Sequence, residues 1–166
     1  EAVGHRVVHG GPYFSESVLV TPEVLADLEK CRPLAPLHTG AHIQGIQGIT
    51  AVLANVPQVL VVDTAFHSSM SDVAKTYPLP KKVSETLAIR RYGAHGTSHR
   101  YISGEMCKIL GKTEGTKIVT CHLGNGSSIS AVKDGKISRN ACRDHALASF
   151  DKNENYKKYI ELFKTI

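Results

Sequence analysis

The sequence predicts an α/β fold, because runs typical of buried strands alternate with segments of helical periodicity. Residues 59–62 are all β-branched or Leu, and 117–123 form a second apolar run, as expected of strands in a covered sheet. Between these strands and before them, apolar residues recur at helical spacing, most clearly over 42–55. Strands separated by helices in this way indicate the α/β class.

The first strand is predicted at residues 6–9 and ends at the Gly-Gly-Pro sequence 10–12, a strong breaker of regular structure. Thr21 has the character of an N-cap residue, and Pro22 then takes the first helical position, which proline favours. The helix that they open is predicted to end before Pro33.

Residues 33–40 are predicted to form a loop before the helix over 42–55. The strand at 59–62 is expected to be buried on both faces and to present Asp63 at its carboxyl end. After a proline-containing loop, Ser98 is predicted to cap a helix that runs to about residue 110.

The second buried strand, 117–123, is followed by a turn at 124–128 and a returning strand at 129–132. The Asp-Gly pair at 134–135 is a strong signal for a two-residue hairpin. From about residue 153 a helical stripe with lysines opposite it is predicted, and it carries Tyr156, Tyr159, Ile160, Phe163 and Ile166.

The composition argues against nucleic-acid and membrane functions. The chain has 166 residues and a net charge of +5, and its Lys and Arg residues are scattered without the basic, aromatic-rich stripe of a nucleic-acid interface. No signal peptide is visible in this sequence, and none of its apolar runs reaches membrane-spanning length. The four cysteines form no C-x-x-C pair, so we expect reduced thiols and a cytoplasmic location.

Two candidate sites follow the predicted strands, where ligands collect in an open α/β sheet. Asp63 could bind a metal or orient a nucleophile, although an acidic residue there is also consistent with a turn or helix cap. The glycines of 124–126 would let backbone N–H groups approach a phosphate, but Asn-Gly is also a common hairpin turn. No Gly-Lys-Ser/Thr follows, so this turn is not a Walker loop.

Residues 90–99 gather two arginines, two histidines and several hydroxyl groups, a composition suited to an anionic substrate. The histidine pairs His95/His99 and His38/His42 have the i,i+4 spacing of helical metal ligands. Glycines within the first pair and loop signals before the second disfavour this metal-binding alternative.

Six motifs occur in order: GHRVVHGG at 4–11, LAPLH at 34–38, DTAFH at 63–67, YPLP at 77–80, RRYGAHGTSH at 90–99 and HLGNG at 122–126. This series closely resembles the acetate kinase family over about residues 1–136. The resemblance implies the ribonuclease-H-like core shared by acetate and sugar kinases and actin, present here only in part. Residues 1–68 would be the latter part of the N-terminal kinase domain, and 69–166 the beginning of the C-terminal one, with an unmatched tail at 137–166.

The resemblance also implies roles for individual residues. Arg6 would hold the carboxylate of acetate, with Val8 and Leu37 lining the pocket for its methyl group. Asp63 would be the catalytic acidic residue, and His95 would stabilise the transferring phosphoryl group. The ATP phosphates would be contacted by the segment His122, Leu123, Gly124, Asn125 and Gly126.

The implied reaction is the reversible, ATP-dependent phosphorylation of acetate to acetyl phosphate, with Mg²⁺ as cofactor and ATP or ADP as partner. The direct metal ligands are expected outside this chain, and the chain alone is expected to be incomplete as a catalyst. A sheet edge left bare by missing strands would favour a homo-oligomer, expected to be a dimer.

Three departures from the family pattern leave alternatives open. Ala94 stands where the family has Phe before the catalytic histidine, which suggests a larger acyl pocket and a preference for propionate or butyrate. Residues 39–42, Thr-Gly-Ala-His, replace the family's Asn-Pro sequence on the substrate side. The expected arginine and glutamate of later motifs are missing, so a non-catalytic remnant that binds nucleotide or anions is the other alternative.

Overall fold

The structure, a computed structural model, describes residues 1–138, which form two three-stranded sheets with helices around them. In the first sheet the strand order is β1 (Val3–Val7), β3 (Gln58–Val62), β2 (Val18–Leu19). β1 runs parallel to β3 with Val7 opposite Val62, whereas β2 runs antiparallel to β3. The parallel pair places the carboxyl ends of β1 and β3 side by side.

Two helices cover this sheet. α1 (Pro22–Lys30) begins as predicted, because the Thr21 hydroxyl accepts a hydrogen bond from the backbone N–H of Val24. α2 (Pro36–Val52) packs against α1 and β1. The core between helices and sheet consists of Val7, Phe14, Leu28, Cys31, Ile46, Leu60 and Val62.

The loop predicted at 33–40 is wrong. A 3₁₀ helix at Arg32–Leu34 occupies its start, and α2 begins at Pro36, well before the predicted helix start at residue 42. Proline lacks a backbone N–H but fits the first helical position, so Pro33 and Pro36 open helical turns here.

The connection from β3 to the second sheet is mostly helical. A 3₁₀ helix spans Asp63–Ser69, and α3 (Asp72–Lys75), α4 (Lys81–Thr86) and α5 (Gly96–Ile109) follow it. The cap predicted at Ser98 is wrong. The N-cap residue is His95 in a left-handed conformation with φ of 53°, and Ser98 lies within the first turn of α5.

The second sheet is formed by β4 (Lys117–Leu123), β5 (Ser127–Lys133) and β6 (Lys136–Ile137), joined by two antiparallel hairpins. The predicted hairpin at Asp134–Gly135 is confirmed, with positive φ at both residues. The prediction that residues 117–123 form a buried strand is wrong for one of its two faces. Only alternate residues of β4 face α5, and Leu123 on the other face is 80% exposed.

Three cysteines lie in the described part of the chain, and all three are free thiols. Cys31 and Cys107 are buried, and burial raises the pKa of the Cys31 thiol to about 11. Cys121 is exposed, because it projects from the uncovered face of β4. Cys142 and the predicted helical stripe near 153–166 lie outside the described residues.

Within 1–138, every helix is too short or too polar to cross a membrane.

The junction between α5 and Asp63 predicts opposite effects of one substitution at two glycines of the same helix. A Cβ at Gly96 would lie 1.9 Å from the Asp63 carbonyl oxygen, whereas a Cβ at Gly104 meets nothing within 4 Å. We expect Gly96→Ala to lower the free energy of unfolding by about 1–3 kcal/mol or more. Gly104→Ala, the matched control, should raise it by about 0.5–1 kcal/mol through helix propensity.

Urea denaturation of both variants measures these changes. Equal stabilisation by the two substitutions would show that α5 does not press against the backbone of Asp63.

Candidate functional site

An ion pair joins the carboxyl ends of the two parallel strands. Arg6 lies near the end of β1, opposite Val61, and Asp63 follows directly after β3. Arg6 Nη2 lies 2.5 Å from Asp63 Oδ2, and Nε donates to Oδ1 at 3.3 Å. The Asp63 side chain is 1% exposed, whereas that of Arg6 is 53% exposed. The pair therefore has a buried carboxylate and a guanidinium that is open to ligands.

The N-terminus of α5 supplies the other partners of Asp63. Thr97 Oγ1 donates to Asp63 Oδ1 at 2.8 Å, and the Thr97 backbone N–H donates to the same oxygen at 3.4 Å. A helix N-terminus favours negative charge, so this carboxylate is stabilised by a cation, a hydroxyl and a helix dipole together. Thr97 falls within the 90–99 cluster, but sequence reasoning did not single it out.

His95 caps α5 and lies between Asp63 and the glycine turn. Its ring stacks on that of His122, with centroids 4.0 Å apart and planes 14° from parallel. Its Nδ1 lies 2.8 Å from Ser128 Oγ. A Cβ at Gly126 would lie 3.4 Å from Nε2 of His95, so the turn approaches this nitrogen closely. Burial, followed by the neighbouring His122, lowers the pKa of His95.

Behind His95 lies a layer of buried histidines that sequence reasoning missed. His99 is 1% exposed, and its two ring nitrogens each lie 2.8 Å from a hydroxyl, Thr120 Oγ1 and Ser128 Oγ. Burial and the nearby His67 lower the pKa of His99 to about 4. His67 is also buried, with Nε2 2.9 Å from the Ala94 carbonyl oxygen. The i,i+4 spacing of His95 and His99 was the available signal for this layer.

The segment 122–126 forms the hairpin between β4 and β5. Its backbone is therefore the Asn-Gly hairpin turn that was one of the two predicted alternatives. The Gly124 N–H donates to the Gly126 carbonyl at 3.2 Å, and residues 123–126 are exposed. His122 Nδ1 lies 3.0 Å from Ser98 Oγ, which attaches the hairpin to α5. An exposed glycine turn beside His95 can accept a phosphate chain from solvent.

The two residues expected to line an acyl pocket differ in environment. Val8 is half-buried just beyond β1, and its N–H donates to Nε2 of His42 at 3.3 Å. Leu37, in the first turn of α2, is 88% exposed. The pocket lining expected from Val8 and Leu37 is therefore open on the Leu37 side in this structure.

The remaining polar residues of the 90–99 cluster serve packing. Arg90 stacks over the Tyr92 ring at 4.5 Å, and Arg91 lies over the Tyr77 ring at 5.7 Å. Loop signals before His42 argued against a helical His38/His42 pair. In the structure both histidines lie in α2, and their rings stack with centroids 6.2 Å apart. Across residues 1–138, no group of three or more His, Cys, Asp or Glu side chains is arranged to hold a metal ion.

A cavity of about 870 Å³ lies between β3, α5 and the β5–β6 hairpin, lined by Val61, Phe66, Thr97, Arg100 and Lys136 among others. Arg6, Asp63 and His95 are not part of its lining. Of the convergent polar groups, Thr97 therefore borders this cavity, whereas Arg6, Asp63 and His95 do not. We base the candidate site on those groups, because they carry the directed hydrogen bonds.

The buried carboxylate predicts that Arg6 contributes far more stability than a surface arginine. In Arg6→Met, Asp63 would keep Thr97 but lose its only cation among the described residues, so we expect a loss of about 2–3 kcal/mol. Arg32→Met is the matched control, because Arg32 pairs with Glu29 at the surface and should cost at most about 1 kcal/mol. Chemical denaturation measures both; equal losses would contradict a stabilising role for the Arg6–Asp63 pair.

Comparison with known proteins agrees with this geometry. A sequence profile described as the acetokinase family matches residues 1–141. The chain is 56% identical over 136 residues to the acetate kinase of Bacteroides fragilis, covering 81% of this chain and 34% of that protein. It is 57% identical over 137 residues to the acetate kinase of Caldanaerobacter subterraneus, with 82% and 34% covered.

Solved structures give the same result. A propionate kinase from Francisella tularensis superposes with a TM-score of 0.79 at 48% identity, over 82% of this chain and 35% of that one. The acetate kinase of Porphyromonas gingivalis superposes with a TM-score of 0.77 at 51% identity, over 82% and 34%. The predicted α/β class, with part of a kinase fold, is confirmed. The chain spans about a third of the length of the curated relatives it matches, and it belongs to the acetokinase family.

Proposed function

We propose that this chain carries the carboxylate-binding and phosphoryl-facing residues of an enzyme that reversibly transfers a phosphoryl group between ATP and acetate, forming acetyl phosphate. The observation that carries the proposal is the convergence of four separate segments. Arg6 pairs with Asp63, and Asp63 binds the N-terminus of α5. His95 at that N-terminus stacks on His122, which leads into the glycine turn.

The proposed roles follow from charge and exposure. A short carboxylic acid is already ionised at neutral pH, so it needs no base to act as a nucleophile. Arg6 uses two of its five N–H donors on Asp63, and the exposed remainder can hold the substrate carboxylate. Asp63 then fixes the guanidinium and orients the substrate. Val8 and Leu37 would contact the methyl group when the open side of their pocket is covered.

Phosphoryl transfer needs positioning and positive charge around the equatorial oxygens. His95 would contact those oxygens through Nε2, the ring nitrogen nearest Gly126. The ATP phosphates would lie along the hairpin turn formed by His122, Leu123, Gly124, Asn125 and Gly126. Mg²⁺ is held in kinases by few carboxylates and by the phosphates themselves, and its direct protein ligands are expected outside this chain. Asp63, whose carboxylate is bound by Arg6 and Thr97, would lie close to the ion. When bound, the ion would neutralise phosphate charge.

The domain division is also a proposal. The two sheets, one within residues 1–68 and the other after residue 69, support assigning them to the N-terminal and C-terminal kinase domains. β1 is an edge strand of the first sheet, which leaves one side open for further strands or for a second copy. A homodimer therefore remains our expectation for the assembled protein.

A second candidate is a preference for propionate or butyrate. Ala94 directly precedes His95, is exposed, and has no side chain beyond Cβ to limit the space beside the reacting centre. One of the solved structures similar to this chain is described as a propionate kinase. Both observations favour a short carboxylate that is longer than acetate, and the preferred acyl length is the quantity to measure.

The activity is tested by trapping acyl phosphate as the hydroxamate, with acetate, ATP and Mg²⁺. We would assay this chain alone and a chimera in which residues 1–136 replace the matching segment of the Bacteroides fragilis acetate kinase. We expect turnover in the chimera and a loss of about 10²-fold or more in kcat for its Asp63→Asn or His95→Ala variant. Asp72→Asn, at the exposed start of α3, is the matched control and should leave kcat unchanged.

A folded chimera without turnover would overturn the proposed function. Nucleotide binding by the chain together with an inactive chimera would instead favour the non-catalytic remnant.

Restoring a ring at position 94 tests the acyl preference. In the chimera, Ala94→Phe should fill the space beside His95 and lower kcat/KM for butyrate, relative to acetate, by about 10-fold or more. Ala51→Phe, at an exposed position of α2, is the control for a ring placed elsewhere. An unchanged acetate-to-butyrate ratio would remove Ala94 as the determinant of acyl length.

A further inference from the structure

Three hydrogen bonds of the same length connect His95 to the interior of the second sheet. His95 Nδ1 lies 2.8 Å from Ser128 Oγ, and the same oxygen lies 2.8 Å from Nε2 of His99. His99 Nδ1 lies 2.8 Å from Thr120 Oγ1, which in turn lies 3.4 Å from the Ser130 carbonyl oxygen. Thr120 is 3% exposed, so this chain of groups runs from the candidate site into the buried interior.

A neutral imidazole donates from one nitrogen and accepts at the other, and each hydroxyl can donate once. With both histidines neutral, three arrangements of donors are therefore consistent, because Ser128 can donate to His95, donate to His99, or accept from both rings. The lowered pKa of His99 keeps that ring neutral at physiological pH, and the pKa of His95 is lowered as well. Once the direction is known, the tautomers of both histidines follow.

The buried end decides the direction, because His95 Nε2 at the other end borders the exposed turn, where water can donate or accept. A carbonyl oxygen can only accept, so Thr120 Oγ1 donates to Ser130 O. Thr120 then accepts from His99 Nδ1–H, and His99 Nε2 accepts from Ser128 Oγ–H. Ser128 in turn accepts from His95 Nδ1–H. In both other arrangements Thr120 donates to His99 Nδ1, which leaves the buried Thr120 oxygen without a donor in this chain of groups.

We propose that Ser128, His99 and Thr120 are positioning residues that hold His95 as the Nδ1–H tautomer, so that its Nε2 presents an unprotonated lone pair at the glycine turn. The importance of this lone pair for catalysis rests on the proposed function, since it would be the nitrogen that faces the phosphoryl group. The tautomer itself is a property of the free protein. Protonation at Nε2 then needs no reversal of the buried chain.

The tautomers can be measured in the 166-residue chain with ¹⁵N-labelled histidine, from long-range ¹H–¹⁵N correlations at neutral pH. We expect the pattern of a neutral Nδ1–H ring for both His95 and His99. Ser128→Ala should remove the fixed state of His95 and give a mixture of tautomers, whereas Ser128→Thr, which retains a hydroxyl, should restore it. Ser98→Ala is the matched control, because it removes the partner of His122 but none of the bonds above.

An Nε2–H pattern for His95 in the unsubstituted chain would overturn the proposal, and this result needs no variant to fold. So would a His95 pattern that Ser128→Ala leaves unchanged. In the chimera, Ser128→Ala should lower kcat by about 10-fold with little change in KM for acetate. If the chain shows the predicted tautomer but the chimera is inactive, the proposed function is refuted and the positioning inference stands.

Discussion

The arrangement of the site depends on one buried charge, the carboxylate of Asp63. A carboxylate that is 1% exposed is unstable in a protein interior unless cations, hydrogen-bond donors or dipoles surround it. Arg6 comes from β1, Thr97 comes from α5, and both bind the same carboxylate. The Asp63 carboxylate therefore connects the end of the first sheet to the start of α5, the helix that packs against the second sheet.

Close packing at glycines makes that junction possible. Gly96 lets the first turn of α5 approach the Asp63 carbonyl, and a Cβ at Gly93 would lie 2.2 Å from Cγ of His67. Both glycines flank His95, which adopts a left-handed conformation with φ of 53°. A non-glycine residue in that conformation is held by its surroundings, here by the stacked His122 and by Ser128. The histidine is thus fixed by backbone and side chain together.

Much of this arrangement could be predicted from local patterns. The Val59–Val62 run correctly placed Asp63 at a strand end, and Thr21, Pro22 and the Asp134–Gly135 hairpin acted as their residue types predict. The misplaced start of α2 came from treating Pro33 and Pro36 as loop residues, although proline is equally suited to a first helical turn. The cap of α5 was missed because a left-handed histidine has no sequence signature.

The parts of the site that sequence patterns did not indicate are those that depend on tertiary contacts. Thr97 meets Asp63 because α5 packs against the 3₁₀ helix 63–69, and His99 meets Thr120 and Ser128 because α5 packs against the second sheet. Nothing in the spacing of these residues specifies which hydroxyl meets which ring. The ordered motifs of the acetokinase family include Arg6 and Asp63, which pair in the structure, and the roles of these residues in the reaction stay predictions. The 2.8 Å hydrogen bonds of His99 depend on the position of the second sheet, which the sequence does not specify.

The electrostatic state of the site is suited to the proposed reaction. Burial lowers the pKa of His67, His95 and His99, so the histidine layer is neutral at physiological pH, and the guanidinium of Arg6 is matched by Asp63. A neutral layer avoids repulsion among closely spaced rings when no ligand is present. An anionic phosphoryl group near His95 would favour its charged form, because an opposite charge raises the pKa of an imidazole. Positive charge would then appear at His95 as the phosphate arrives, where phosphoryl transfer requires it.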